Sequence, residues 1–384
     1  MPFFPYSFDP LAATCEELDQ WRERLDRSGA LSRRWTGRLR RDLEAEAVAA
    51  SVGMEQVPVT VDEVRRILVG ERIPTVSEED RGLVRGYRDA MEFVLRRADD
   101  PGFRWNRELI VGLHDRILAG SYALGAGRLA AGPRWVVNNL TGEEVFNPAP
   151  SERISELVDR ACEVIEEGLE HPAIDSAWIH VVVAAIHPFQ DGNGRVCRVL
   201  ASLAMYRGGF QRKEFTSLEE WWGRHLADYY AAFACLGREF DDAAEVASFI
   251  DTHVRAQLSQ VRALDLRERV EHRIWEALED VVDRAGLQPR LVNALWDAFF
   301  ERSVAPAYYI PLVDVSRATA TNDFAAAVAA RLLEAQGGGR ARHYVATPEL
   351  FARLGRVLKI ELPEQNPRTR IVSVLSRDLS QAAS

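Results

Sequence analysis

The sequence predicts a mainly α-helical protein with one exposed β-hairpin, followed by a small C-terminal module of mixed α and β structure. Apolar residues recur at helical spacing along most of the chain. Turn-forming residues between two short β-prone runs mark the hairpin, over residues 134–147. From Gly286 onward the chain has 12 basic and 9 acidic residues, whereas the whole chain has a net charge of −10. This asymmetry suggests modules with different roles, and we place a boundary near residue 285.

Helical patterns begin within the first hundred residues. Apolar side chains recur at helical spacing from Leu39 to Ala50, and this pattern ends near Gly53. Thr60 followed by Glu63 is a capping-box pattern, which predicts that another helix begins there. Two more helices are predicted over residues 80–97 and 106–118.

The hairpin interrupts this helical pattern between Pro133 and Pro148. Its β-prone runs are residues 135–137 and 145–146, and the turn-forming residues 138–142 connect them. Helical patterns then resume over residues 151–169, 173–186, 196–206, 217–236 and 243–281.

The composition is that of an ordinary globular protein, with 384 residues of which 47% are hydrophobic and 28% charged. A net charge of −10 excludes a chain that coats nucleic acid over its whole surface, although it leaves room for a local basic patch. The four cysteines are isolated, which supports neither a disulfide framework nor a zinc site. Because no basic segment precedes an apolar run at the N-terminus, we expect no secretory signal, no membrane partner and a cytoplasmic location.

The segment with the clearest chemistry is His187–Arg198, which reads HPFQDGNGRVCR between two apolar helical stretches. Pro188 ends the preceding helix, and Gly192, Asn193 and Gly194 form a tight turn that opens the next one. Backbone N–H groups at such a helix N-terminus point outward and combine with the positive end of the helix dipole. The segment therefore predicts an anion site, for which phosphate is the usual ligand.

Four side chains around this turn extend the predicted site. Arg195 and Arg198 lie three residues apart on one helix face, where both can donate charge-assisted hydrogen bonds to phosphate. Asp191 can hold Mg²⁺, which proteins bind through one or two carboxylates together with substrate phosphates. His187 titrates near neutrality and can take a proton from an incoming hydroxyl. Each residue alone is more often an ordinary loop or helix-start residue, but their order and density favour nucleotide phosphate chemistry.

This segment resembles the signature of the Fic (filamentation induced by cAMP) family, HxFx(D/E)GNGRxxR, at every specified position. The resemblance extends beyond the motif, over roughly residues 10–260. Residues 104–120, which include His114, are similar to the helix that leads to the family's core, and residues 125–128 to the start of its flap. The hairpin at 134–147 resembles the flap itself, which docks a target protein by strand addition.

The resemblance implies transfer of AMP from ATP to a Ser, Thr or Tyr hydroxyl of a protein, with release of pyrophosphate. By position, it makes His187 the general base, Asp191 the Mg²⁺ ligand and Arg198 the ligand of the γ-phosphate. The turn between them would surround the α- and β-phosphates, and an aromatic pair further on would lie near the adenine pocket. The residues that the resemblance assigns to nucleotide binding are Gly192, Asn193, Gly194, Arg195, Arg198, Tyr229 and Tyr230.

The resemblance also implies an inhibitory contact within the chain. Many family members carry the pattern (S/T)xxxE(G/N), whose glutamate pairs with the second arginine of the signature and displaces the γ-phosphate. Residues Ser51 to Gln56 read SVGMEQ and fit this pattern except at Gln56. Glu55 would then compete with the γ-phosphate for Arg198. On the alternative interpretation, Glu55 is only a solvated residue at a helix end.

Residues 286–384 are predicted to form the C-terminal module. A helix over residues 291–299 precedes the segment 309–312 and a turn, and a second helix opens at Ser316. Residues 337–345 close the module as a β-wing. This pattern resembles the winged helix that is often appended to Fic cores.

A winged helix of this kind has two potential roles. In DNA-binding versions the Ser316 helix enters the major groove, and Arg340 and Arg342 contact the DNA backbone. The helix carries Arg317 but also Asp323, and the module's basic excess is small. A structural or dimerisation role is therefore favoured over contact with DNA.

The sequence thus predicts an N-terminal helical region (1–100), a Fic core (101–285) and a winged-helix-like module (286–384). The favoured function is a protein adenylyltransferase that uses ATP and Mg²⁺ and is autoinhibited by Glu55. The alternative is a DNA-binding transcriptional regulator whose Fic core senses a nucleotide, and a toxin-like core restrained by a separate antitoxin is a third interpretation. The expected partners are a target protein along the flap and, by analogy with the family, a second copy of the chain.

Overall fold

In the computed structural model, which describes residues 3–27, 33–137, 143–211, 218–302, 304–339 and 342–381, the chain divides into two units. The first unit comprises Met1–Ala30, Arg40–Val64 and Pro74–Arg262, and the second comprises Leu31–Leu39, Arg65–Ile73 and Ala263–Ser384.

Helices account for most of the described residues. They are α1 (Ala12–Arg27), α2 (Arg33–Met54), α3 (Val61–Leu68), α4 (Glu78–Ala98), α5 (Arg107–Ile117), α6 (Ile154–Glu167), α7 (Pro172–Ile186), α8 (Asn193–Arg207), α9 (Leu218–Arg224), α10 (Leu226–Ala232), α11 (Ala247–Arg284), α12 (Val292–Phe299), α13 (Pro306–Val313), α14 (Arg317–Ala329), α15 (Pro348–Leu358) and α16 (Pro367–Gln381). The strands are β1 (Val136–Val137), β2 (Glu144–Phe146), β3 (Leu333–Gln336) and β4 (His343–Ala346). The prediction of a mainly α-helical chain is confirmed, although the sequence pattern gave no sign of α1.

The core of the first unit is the pair α7 and α8, against which α4, α5 and α6 pack. Nearly every residue of both helices is buried, which is why α7 is apolar on all sides rather than along one stripe. At its start, the His171 side chain accepts a hydrogen bond from the Ala173 N–H, and Pro172 occupies the first turn. The rigid pair fixes the position of the turn that connects the two helices.

The capping box at the start of α3 forms as predicted. The Thr60 N–H donates to Glu63 Oε2 at 2.9 Å, and the Glu63 N–H donates to Thr60 Oγ1 at 3.3 Å. Two backbone donors that have no partner within the helix are thereby satisfied.

The single helix predicted over residues 217–236 is broken. It consists of α9, α10 and a 3₁₀ turn over Phe233–Leu236, and its predicted first residue, 217, lies outside the described residues. The break falls at His225, whose φ of −123° and ψ of 45° are not helical. The His225 ring stacks on Trp221, with ring centroids 4.1 Å apart.

The predicted hairpin is present as β1 and β2, which pair antiparallel with Val136 opposite Phe146. The predicted turn at 138–142 lies outside the described residues. Side chains on both strands are exposed: Val137 is 45% and Val145 42% accessible. None of the described helices combines the length and the apolar composition that crossing a membrane requires.

The second unit holds the elements of the predicted C-terminal module. α12, α13 and α14 are followed by the antiparallel pair of β3 and β4, in which Leu333 lies opposite Ala346. The segment 309–312, which was expected to precede a turn, lies inside α13 despite Pro311. Of the two arginines predicted on the wing, Arg342 is exposed and Arg340 lies outside the described residues.

The sequence pattern placed Asp323 on the outer face of α14 beside Arg317. In the structure Asp323 points inward instead. It is 3% exposed, accepts hydrogen bonds from Arg290 at 2.7 and 2.8 Å and accepts a third from the Tyr309 hydroxyl at 3.0 Å. Its charge is therefore neutralised inside the unit and does not oppose an anionic partner on the surface. Arg317 on the same helix is exposed.

Candidate functional site

The turn between α7 and α8 is held in shape by two unusual backbone conformations and one side chain. His187 ends α7 with φ of 53°, and Gly192 precedes α8 with φ of 78°. The Asn193 side chain bonds the Phe189 backbone twice: Oδ1 accepts from the N–H at 2.9 Å, and Nδ2 donates to the carbonyl at 2.8 Å. Asn193 thus braces the turn with its side chain, while its backbone N–H lies at the free N-terminal end of α8.

His114, on α5, is a second brace for the same turn. Its Nδ1 accepts from the Gly127 N–H at 3.1 Å, so the neutral ring carries its proton on Nε2, which donates to the Asp191 carbonyl at 3.0 Å. The ring stacks on Phe189 with centroids 3.7 Å apart and planes 9° from parallel. Burial lowers the pKa of His114 to about 4, which keeps it in this neutral form.

Replacing His114 with phenylalanine should therefore destabilise the protein and change how its stability depends on pH. The Asp191 carbonyl and the Gly127 N–H lose their partner, which costs about 1–3 kcal/mol at pH 7. Because the unfolded imidazole binds a proton below pH of about 6.5 and the folded one only near 4, wild-type stability falls as pH decreases through this window. Urea unfolding between these pH values should show a shallower decline for His114→Phe, and an unchanged decline would contradict the assignment.

His187 is half-buried and held in its neutral form. Burial lowers its pKa to about 4, and the nearby positive charge of Arg134 also lowers it, whereas a hydrogen bond with the Ala184 backbone and the charges of Glu55 and Asp191 raise it. Because the ring N–H is used by the Ala184 backbone, the other ring nitrogen keeps a lone pair at neutral pH. The residue is therefore a base that needs no prior deprotonation.

Arg195 is a buried cation whose donors are largely unused. Its side chain is 3% exposed, and Nη2 donates to Asp191 Oδ1 at 3.2 Å. Its Nε and Nη1 have no hydrogen-bond partner among the described residues. Buried guanidinium donors are normally satisfied. Their position beside the N-terminal turn of α8 indicates that an anion supplies the missing acceptors.

Asp191 lies at the open edge of the turn, where its side chain is 47% exposed. Both described hydrogen bonds to its carboxylate, from the Gly192 N–H and from Arg195, use Oδ1. No group of three or more His, Cys, Asp or Glu side chains in the described part of the chain can enclose a metal ion. A single exposed carboxylate beside a phosphate site nevertheless fits Mg²⁺, which takes its other ligands from phosphates and water.

Arg198 differs from Arg195 in that each nitrogen of its guanidinium has a described partner. Nε donates to Ser51 Oγ at 2.9 Å, and Nη2 donates to the Ser51 carbonyl at 3.0 Å and to Glu55 Oε1 at 2.8 Å. Nη1 lies 3.5 Å from the Tyr229 hydroxyl. The structure thus brings Ser51 and Glu55, predicted from the sequence, onto the second arginine of the turn.

The Glu55 carboxylate also lies directly over the first turn of α8. A Cβ placed on Gly194 would come within 2.5 Å of Glu55 Oε1, which real Cβ atoms do not do. Glycine at this position is therefore required for an anion to approach so closely. The carboxylate occupies the region in which the backbone and Arg198 favour negative charge.

Glu55 owes its position to the way in which α2 ends. The Gln56 N–H donates to the Gly53 carbonyl at 2.9 Å, and the Val57 N–H donates to the Val52 carbonyl at 3.1 Å. This pair of bonds is a Schellman motif, in which Glu55 is the C-cap residue. Gln56 occupies its left-handed position with φ of 64°. Gly and Asn adopt this left-handed conformation most readily, which explains why the pattern (S/T)xxxE(G/N) has them there. Gln56 adopts it with conformational strain.

Replacing Gln56 with glycine should stabilise the protein by about 1 kcal/mol, because a side chain at a left-handed position is strained. The measurement is the free energy of unfolding in urea. Glycine at Glu44, in the interior of α2, is the control and should instead destabilise by a similar amount. A loss of stability in Gln56→Gly would contradict this account of the helix end.

The two tyrosines assigned to the adenine pocket have different surroundings. Tyr229 is 4% exposed, and its hydroxyl lies 3.1 Å from His180 Nε2 as well as near Arg198. Tyr230 is 52% exposed, with its ring centroid 5.4 Å from that of Tyr229. Only Tyr230 has the accessible ring face that stacking on a base requires, so a role for the pair in adenine binding stays a prediction.

The base of the hairpin is tied to the same turn by a residue that sequence reasoning missed. Arg134 is 6% exposed and donates to the Ala149 carbonyl at 2.6 Å and to the Ile186 carbonyl at 3.0 Å. It therefore joins the start of β1 to the end of α7. An arginine at a hairpin start is usually solvated, so no sequence signal marked it.

These features define a helical domain built around the N-terminal turn of α8, beside which two Arg195 donors have no partner among the described residues. The sequence profile described as the Fic/DOC family matches residues 104–205, which include α5, the hairpin, α7 and the turn. This match places a Fic domain at residues 104–205.

Curated relatives match a limited part of the chain. The protein adenylyltransferase Fic of Nematostella vectensis is 26% identical over 145 residues, which are 36% of this chain and 31% of that protein. Protein adenylyltransferase fic-1 of Caenorhabditis elegans is 29% identical over 168 residues, 42% of this chain and 31% of that protein. The chain thus matches about a third of the length of these relatives.

Solved structures share the fold more extensively. A Fic family protein from Desulfovibrio desulfuricans superposes with a TM-score of 0.58 at 20% identity, over 91% of this chain and 98% of that one. A Fic domain containing signaling protein from Bacteroides thetaiotaomicron superposes with a TM-score of 0.55 at 23% identity, over 67% of this chain and 96% of that one. At these identities the likeness shows the fold alone, and the expected Fic-type helical core is confirmed.

Proposed function

We propose that this protein is an adenylyltransferase that moves AMP from ATP to a Ser, Thr or Tyr hydroxyl of a protein. The observation that carries the proposal is a neutral His187 beside a helix N-terminus at which no described residue accepts from Arg195 Nε or Nη1. A base and an anion site within one turn are what phosphoryl chemistry needs. The names of the curated relatives support the same function.

ATP binding uses the turn and its two arginines. The N-terminal amides of α8, from the Gly192–Gly194 turn, face the α- and β-phosphates, and Arg195 donates its free Nε and Nη1 to the same phosphates. Arg198 takes the γ-phosphate when Glu55 is displaced. Asp191 would hold Mg²⁺, which would neutralise part of the phosphate charge.

The transfer itself needs one base. The acceptor hydroxyl attacks the α-phosphorus and gives its proton to the free nitrogen of His187, while the bond from this phosphorus to pyrophosphate breaks. The hairpin presents the target protein, because its exposed strands can pair with an extended segment. Arg134 links that hairpin to the end of α7 and so to the base.

Autoinhibition follows from the Glu55–Arg198 pair. A carboxylate 2.8 Å from Arg198 Nη2 competes with the γ-phosphate for the same donor, and it adds negative charge where the phosphates must lie. The proposed resting state therefore binds ATP weakly.

The test is to incubate the Glu55→Gly protein with Mg²⁺ and ATP that is labelled either at the α- or at the γ-phosphate. Label from the α position should remain on protein, label from the γ position should not, and chelation of Mg²⁺ by EDTA should abolish the transfer. His187→Ala in the same background is the matched control. No His187-dependent α-label on the protein itself or on proteins of a cell extract would refute the proposal.

The alternative of a DNA-binding transcriptional regulator stays a prediction from the sequence. The same preparation distinguishes it, because a regulator would bind duplex DNA in a salt-sensitive manner and transfer no label.

A further inference from the structure

A buried chain of hydrogen bonds leads from Arg198 away from the nucleotide site. Arg198 Nε donates to Ser51 Oγ at 2.9 Å, and Ser51 is hydrogen-bonded to the Tyr87 side chain. The Tyr87 hydroxyl donates to Glu219 Oε1 at 2.7 Å. None of these four residues exceeds 3% exposure. This hydrogen-bond chain joins α8, α2, α4 and α9 behind the turn.

The two end residues of this hydrogen-bond chain, Arg198 and Glu219, fix the direction in which each bond donates. Arg198 can only donate, so Ser51 Oγ accepts from it and has its own proton left for Tyr87. Tyr87 then uses its proton on Glu219. Every bond runs from the cation toward the carboxylate, and bonds aligned in this way strengthen one another.

Arg198 and Glu219 also line the same buried cavity. The other ionisable groups among its described lining residues are His180 and His253, and burial lowers the pKa of both, so they are neutral. Glu219 Oε2 faces no hydrogen-bond partner among the described residues. On this side of Arg198, Glu219 is the group that can balance the buried positive charge. Burial raises the pKa of its carboxyl, whereas the hydrogen bond from Tyr87 and the charge of Arg198 lower it.

Glu55 and Glu219 differ in how easily each carboxylate can move away from Arg198. Glu55 is 25% exposed and follows the last turn of α2, whereas Glu219 is 2% exposed inside the core. A buried guanidinium that loses its only counter-charge would be strongly destabilised. Arg198 keeps its place without Glu55 only if a second anion remains.

We propose that Glu219 is a positioning residue for Arg198, acting through Tyr87 and Ser51, and that it holds the guanidinium in place for the γ-phosphate when Glu55 withdraws. This inference rests on the proposed function in assigning the γ-phosphate to Arg198. Glu219 does not touch the nucleotide. Changing Glu219 should therefore affect only the binding of the γ-phosphate, the group that Arg198 is proposed to contact.

The first test compares ATP with ADP. In a Glu55→Gly, His187→Ala background, which cannot turn over, titration calorimetry with Mg²⁺ measures the affinity for each nucleotide. Tyr87→Phe and Glu219→Gln should each weaken ATP binding about tenfold and leave ADP binding within about twofold. The double variant should be no worse than Tyr87→Phe alone, because that change already removes the link through which the Glu219 charge acts.

The matched control is Tyr309→Phe, which removes a similar buried bond from a tyrosine to a carboxylate, that of Asp323, in the second unit. It should leave the ratio of ATP to ADP affinity unchanged, whatever it does to stability. Unchanged ratios in Tyr87→Phe and Glu219→Gln, with folded protein, would overturn the inference.

The second test needs no nucleotide and so separates this inference from the proposed function. In a crystal structure of Glu55→Gly, Arg198 should keep its two bonds to Ser51, and in Glu55→Gly with Tyr87→Phe it should move or become disordered. If Arg198 leaves Ser51 in the first variant while the Tyr87–Glu219 bond persists, the inference is wrong. If the background protein binds ATP no better than ADP, the assignment of the γ-phosphate fails, and the crystal structures alone decide the role of Glu219.

Discussion

Replacing His187 with alanine should lower the rate of AMP transfer by about 10²–10⁴-fold and leave ATP affinity within about twofold. The imidazole is placed to accept a proton and makes no described bond that would hold phosphate, so its loss acts on the chemical step rather than on binding. Single-turnover kinetics in the Glu55→Gly background separate the rate of the chemical step from the affinity for ATP. His272→Ala, at a half-buried position of α11 in the second unit, is the control and should change neither quantity.

The same base predicts the pH dependence of the reaction. Burial lowers the pKa of His187 to about 4, and only the neutral ring accepts a proton. Activity should therefore stay level as pH decreases through 6.5, the ordinary value for histidine, and should fall only near pH of about 4. A half-maximal rate near pH 6.5 would show that the folded protein does not shift this pKa.

Replacing Glu55 with glycine should raise ATP affinity and self-modification by between about 5- and 150-fold, the usual size of a coupling between two sites. The change removes the carboxylate that holds Arg198 Nη2 at 2.8 Å and that lies against Gly194. Glu55→Gln, which keeps the shape but loses the charge, should give a smaller rise. The measurements are calorimetric ATP binding and incorporation of α-label.

Glu44→Gly provides the matched control for this substitution. It places the same residue in the interior of α2, where the Glu44 side chain lies 3.5 Å from Arg88 Nε rather than near Arg198. It should destabilise the helix without raising ATP affinity. An equal rise in both variants would mean that loosening α2, rather than removing the carboxylate, relieves the inhibition.

Local patterns predicted the parts of this site that depend on short spacings. The turn at Gly192–Gly194 and the capping box at Thr60 each have a fixed local residue order. Glu55 and Arg198 are 143 residues apart, and their pairing was expected from the family resemblance rather than from spacing. Helix α8 begins at Asn193, directly after the left-handed N-cap residue Gly192, rather than at the predicted residue 196. Such boundary errors leave the site intact, since Arg195 and Arg198 still share one helix.

Contacts between residues distant in sequence were not predictable in the same way. His114 and Asp191 are 77 residues apart, and Arg134 and Ile186 are 52 apart, so no periodicity links them. The inward orientation of Asp323 depends on Arg290 from another helix. The break at His225 was signalled locally, because it follows Gly223, and glycine has a low helix propensity that the sequence analysis did not use.

The Schellman ending of α2 sets the timescale on which the proposed inhibition can be relieved. Final helical turns fray far more readily than a domain unfolds, and they do so without any ligand. A minor population with Glu55 detached therefore exists at equilibrium, and basal activity measures that population. Hydrogen exchange of the Val57 amide, which bonds the Val52 carbonyl, reports this fraying directly. If exchange at Val57 requires global unfolding, the helix end is rigid and release needs an outside partner.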